Sequence, residues 1–84
     1  MPKCTFQQLR DVLLGLGFEM RRVDGSPILF EHAEPYARLI LDPFNDGDLV
    51  DAGTLAVVRR NLDERGRMPR SRFEEMLRER SLAS

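Results

Sequence analysis

Among the residues of this chain that could do chemistry, two types occur once each: the thiol Cys4 and the imidazole His32. A histidine titrates near neutrality and can act as base or acid in hydrolysis. A thiol ahead of a helix can be activated as a thiolate. With one cysteine and one histidine there is no CxxC and no Cys/His cluster, so neither an internal disulfide nor a structural zinc site is expected. No metal and no cofactor is expected at all. Cys4, with no histidine near it in sequence, reads as an incidental thiol.

The acidic candidates fall between Asp42 and Gly53, a segment that holds Asp42, Asp46, Asp48 and Asp51. Asp42, Asp46 and Gly47 fit positions one, five and six of a calcium-binding EF-hand loop. Phe44 stands at a ligand position and Gly53 where the bidentate glutamate belongs, so the motif is rejected. A solvated loop is expected instead. The basic candidates are concentrated from residue 59 to 72: Arg59, Arg60, Arg65, Arg67, Arg70 and Arg72 stand against only Asp63 and Glu64. Such a run is either a solvated helix face or a contact for RNA or an acidic partner.

Local pattern supplies the elements that must position these groups. Thr5-Phe6-Gln7-Gln8 reads as a capping box, and Phe6, Leu9, Leu13 and Leu16 follow at helical spacing. Gly17 is a left-handed stop, so the first helix is expected over 6–16. Strands are expected over 18–23, 27–32 and 36–41, with Asp24-Gly25-Ser26 as a turn and Ile28 and Phe30 sharing one face. A loop over 42–53 leads to a helix capped by Thr54, with Leu55, Val58 and Leu62 inward and a stop at Gly66. Ser71 to Glu74 reads as a second capping box, opening a last helix with Phe73, Met76 and Leu77 on its apolar side. The expected fold is α+β: a three-stranded antiparallel sheet with helices on one face, in the order α-β-β-β-α, plus a C-terminal helix. Phe6, Leu9, Leu13, Leu16, Phe18, Ile28, Phe30, Leu55, Val58 and Leu62 are the expected core.

Eighty-four residues allow one domain, and 42% hydrophobic with 32% charged residues fits a globular protein rather than a disordered one. The net charge of −1 argues against an extended phosphate-binding surface. The longest apolar run near the N-terminus, Val12 to Phe18, is far shorter than the roughly 20 residues of a membrane span. No leader pattern opens the sequence, so no membrane association and a cytoplasmic location are expected.

The stretch Gly17-Phe18-Glu19-Met20-Arg21-Arg22-Val23-Asp24-Gly25-Ser26-Pro27-Ile28-Leu29-Phe30-Glu31-His32 resembles the centre of the HicA family of mRNA interferase toxins. That family has a helix, then Gly-Phe, a basic first strand, a Gly-Ser-His opening of the second strand, and an aromatic–charged–His ending like Phe30-Glu31-His32. Asp42-Pro43 and Gly53-Thr54-Leu55 resemble the family's third-strand proline and its helix start. The resemblance covers about residues 5–66. It divides the chain into a HicA-like domain over 1–67 and a helical extension over 68–84, packed on the domain or a partner.

The resemblance implies a double-stranded-RNA-binding-like fold, metal-independent mRNA cleavage and a HicB antitoxin that covers the active site. The family's catalytic histidine falls on Pro27, and a further polar position, often His in relatives, is Asn45. Proline has no proton to exchange. His32, five residues on in an alternating strand, is expected on the opposite face from position 27.

The resulting expectation is a HicA-like toxin–antitoxin protein, leaning away from enzyme, that keeps an RNA- or antitoxin-binding surface at Arg21, Arg22, Gly25, Ser26, Arg59 and Arg60. Two alternatives stand beside it. One is an interaction module without an RNA role. The other is an active interferase with a displaced set of Ser26, His32 and arginines. The expected partners are a HicB-like protein, RNA, or a second copy bound through the C-terminal helix.

Overall fold

A computed structural model describes residues 3–33, 36–65 and 68–83, with side chains through Glu79. The elements run α1 (Phe6–Gly15), β1 (Glu19–Arg21), β2 (Ile28–His32), β3 (Ala37–Leu41), α2 (Ala52–Glu64) and α3 (Arg70–Ala83). The strands form one antiparallel sheet in the order β1-β2-β3. The inward row Met20, Ile28, Phe30, Leu39 and Leu41 faces the helices. Glu19, Arg21, Leu29, Glu31, Arg38 and Ile40 form the open face. The expected α+β class and strand register both hold: Ile28 and Phe30 are fully buried while Leu29 is half-buried on the other side.

α1 begins as its sequence directs. The Thr5 hydroxyl accepts from the Gln8 amide at 3.3 Å, and the Thr5 amide donates to Gln8 Oε1 at 2.9 Å. Two further donors of its first turn are met by the distant loop: the amides of Phe6 and Gln7 donate to the carbonyls of Asp48 and Asp46. The Val50 amide donates to the Cys4 carbonyl, so residues 46–50 lie along the start of α1. At the other end Gly17 takes φ +97°, the conformation expected of a glycine stop.

Several boundaries differ from the sequence reading, three of them with a visible cause or by more than one residue. β1 has three residues rather than six, because Arg22 leaves the ladder to lay its guanidinium on Phe6 and Val23 enters the turn that closes with Ser26. α2 starts at Ala52 under an Asp51 cap rather than a Thr54 cap. The Asp51 carboxylate accepts from both the amide and the hydroxyl of Thr54, at 2.9 and 2.7 Å. Those bonds hold the Asp51 carboxyl below the usual aspartate range. Gly66, the expected stop of α2, lies outside the described residues, as does the expected domain boundary at 67. α3 starts at Arg70 instead of behind a Ser71 cap. The Pro69 carbonyl accepts from Arg72 and Phe73, each at 3.1 Å, and Glu74 is drawn to Arg59 and Arg70 rather than back to the backbone.

One apolar cluster holds the whole together. Nine of the ten expected core residues are buried in it, and Leu16 packs half-buried on its margin. Cys4, Val12, Ala37, Leu39, Leu41, Val50, Met68, Phe73 and Leu77 complete it. α3 packs on α1 and α2, and Phe73 and Leu77 have no exposed surface. The C-terminal helix is thus an integral layer of the domain, and its apolar stripe is satisfied within the chain. Phe73→Ala should cost roughly 3–5 kcal/mol, the range for deleting a buried phenylalanine. A urea titration followed by circular dichroism reads this as a lowered midpoint; an unchanged midpoint would mean α3 is peripheral.

Candidate functional site

His32 ends β2 on the inward side of the sheet, beside the C-terminal end of α1. Its Nε2 lies 3.2 Å from the Leu16 carbonyl, one of the acceptors a helix end leaves unpaired, so Nε2 is the ring nitrogen that carries the proton and donates. The ring stands edge-on to Phe18, with centroids 5.3 Å apart. Gly17 makes this approach possible: a Cβ there would sit 3.0 Å from Nε2. Nδ1 is buried without a hydrogen-bond partner among the described residues. The imidazole is a fastener between β2 and α1.

Pro27 is exposed, one residue ahead of β2. Ser26 lies beside it in the turn, its amide donating to the Val23 carbonyl, and Gly25 takes φ +77°. β2 separates this turn from His32 by about 13 Å of strand, at 3.3 Å per residue. Ser26 and His32 are therefore not brought together, whereas Arg21 and His32 line one pocket.

The arginines diverge as well. Arg21 is on the open face, its side chain 75% exposed, 3.9 Å from Glu31. Arg22 turns the other way: its guanidinium lies 5.7 Å from the Phe6 ring centroid and donates to the Phe44 carbonyl. Arg59 joins α2 to α3 through Glu74 at 3.3 Å, and Arg70 meets the same carboxylate. Arg70 first, then Arg59, hold Glu74 below the usual glutamate range. Arg65 donates to the Tyr36 carbonyl, and Arg72 pairs with Glu75. Arg60 is exposed, and Arg67 lies outside the described residues. Most of the basic run is thus engaged in holding α2, α3 and the start of β3.

Three of the four loop aspartates have structural partners too. Asp46 pairs with Arg10 at 2.7 Å, Asp48 accepts from the Asn45 amide, and Asp51 caps α2. No metal-binding group of acidic, histidine or cysteine side chains occurs among the described residues.

A shallow pocket of about 210 Å³ does gather polar side chains: Glu19, Arg21, Glu31, His32 and Tyr36, with Gly17 and Ala33, at the end of the hairpin. The Tyr36 hydroxyl points at Glu31 Oε2 at 3.5 Å. The Glu19–Glu31 opposition across β1 and β2 was legible only once the strand register was known. Comparisons with protein-family models, curated proteins and solved structures returned no match.

Cys4 is 1% exposed, and burial pushes its thiol from 9.0 up to about 11. A folded pKa above the unfolded one favours the native state below pH 9, and this contribution is lost as the pH rises from 9 to 11. The native thiol should therefore resist a thiol reagent at pH 8, and Cys4→Ala should flatten the alkaline fall in unfolding midpoint. Rapid labelling of native protein would contradict the burial.

Proposed function

We propose that the chain is a HicA-like domain that has kept a binding surface and lost RNA cleavage, and that a HicB-like protein rather than RNA occupies that surface. The carrying observation is the pairing of His32 Nε2 with the Leu16 carbonyl while Pro27 stands where the resembling family has its histidine. No second histidine exists to supply the missing acid or base. Loss of such a group typically costs about 10²- to 10⁴-fold in rate. Proline is tolerated ahead of a strand, so this fold accommodates a change that removes the chemistry.

The engagement of Arg22, Arg59, Arg65, Arg70 and Arg72 within the protein favours a protein partner over RNA, because phosphate contacts need free cations. The open face, with Leu29 and Ile40 among Glu19, Arg21, Glu31 and Arg38, suits a mixed apolar and charged contact. Among the described residues no helix is long and apolar enough to cross a membrane. The cytoplasm is the compartment this reading implies.

The test is purified protein incubated with a structured mRNA in the presence of chelator. The wild type should leave the RNA intact, and its expression should not slow growth. Pro27→His restores the family's titratable group and should bring cleavage above the wild-type background. Metal-independent cleavage by the wild type, abolished in His32→Ala, would overturn the proposal. Tight RNA binding that weakens steeply with salt would transfer the surface to RNA.

A further inference from the structure

β3 is an edge of the sheet, paired with β2 on one side only. Its residues alternate strictly: Ala37, Leu39 and Leu41 are buried, and Arg38 and Ile40 are exposed. Asp42, one step beyond the strand, is exposed in the same rhythm. Ile40 is 63% exposed, an unusual state for a β-branched residue in mid-strand. An unpaired edge with an apolar outward residue is a template for another strand, and proteins ordinarily block such an edge with a charge. Arg38 is the only charge within β3, and Asp42 lies four residues from it with Ile40 midway. Neither makes an ion pair among the described residues.

We propose that β3 pairs antiparallel with β3 of a second copy, about a two-fold axis at Ile40, joining the two sheets into one of six strands. Opposed residues must project to the same face, which limits the two-fold registers that keep both cores buried. An axis at Arg38 sets the two arginines against each other. An axis at Leu39 sets Arg38 against Ile40, and one at Leu41 sets Ile40 against Asp42. The axis at Ile40 places Arg38 of each copy opposite Asp42 of the other, Leu39 opposite Leu41, and Ile40 on itself. It alone matches charge with charge and apolar with apolar, and opposed pairs are what stabilise a ladder.

α2 supplies the flank. Val57, 60% exposed, lines with Thr54, Ile40, Leu41 and Asp42 a shallow groove of about 100 Å³ beside the edge. The second copy's strand covers this groove, removing Ile40 and Val57 from water. The dimer carries its two open faces on one continuous surface, so the partner of the open face meets two sites in fixed relation. The dimer does not depend on what that partner is.

Sedimentation equilibrium of the full chain across the micromolar range tests this, with circular dichroism confirming that each variant is folded. The wild type should associate to a dimer. Arg38→Asp sets Asp against Asp42 at both symmetric positions and should raise the dissociation constant about tenfold or more. Asp42→Arg should do the same with arginines. The doubly swapped variant recreates the pairs in reverse and should return to within about threefold of the wild type. A wild type monomeric throughout the range, single variants that associate unchanged, or a double variant as weak as the single ones would each overturn the proposal.

Discussion

The burial of Phe6 at the first turn of α1 is the contact on which the other elements converge. Its ring packs at 58° on Phe30 of β2, stacks on Phe44 of the loop before α2, and carries the Arg22 guanidinium above it. Its amide donates to the Asp48 carbonyl. One residue thus fixes the sheet, the long loop and the end of β1 against the helix. Burying a side chain of this size is worth about 1.5–3 kcal/mol, and the stacked ring and the cation add to that. The consequence reaches the surface. With Phe6 in place Arg22 has a satisfied position on the helix side, and the open face is left with Arg21 and Arg38 as its cations.

The same economy governs the other residues that looked chemically available. His32 is spent on a helix-end carbonyl, Asp51 on a helix start, Asp46 on Arg10, and Glu74 on two arginines. A domain of this size has little apolar surface to bury, so caps and charge-assisted bonds carry a larger share of its order. Each group so engaged contributes to that order only while its partner stays in place. The Gly17–His32 contact illustrates this: the glycine that ends α1 also leaves room for the imidazole at the Leu16 carbonyl, where a Cβ would crowd Nε2 at 3.0 Å.

Local pattern made the element order, the α1 capping box, the inward face of β2 and nearly all of the core legible in the sequence. Boundaries failed where two residues competed for one role. Asp51 and Thr54 are both good caps, and the carboxylate prevails because it can accept from the amide and the hydroxyl of Thr54 together. Ser71 and Glu74 are spaced as a capping box, but Pro69 already begins the helix and Glu74 has stronger partners in Arg59 and Arg70. The site was less legible than the fold because its facts are long-range. That Arg22 and Arg21 face opposite ways, and that His32 meets Leu16, follow from packing between segments distant in sequence. No local spacing encodes either.

What remains available is set by topology. A three-stranded sheet covered by helices on one side exposes its other face to water, as antiparallel sheets do. Here that face carries two glutamates, two arginines, Leu29 and Ile40. The inward row must be apolar to hold the core, so only the outward row is free to vary with function. β1 is three residues long and offers a poor edge for pairing, whereas β3 offers five, with Arg38 and Ile40 outward and Asp42 one residue past its end. The side of the sheet opposite the helices, and the β3 edge that borders it, are therefore the parts of this molecule least constrained by its own stability. Those are the places where recognition of another macromolecule costs the fold least.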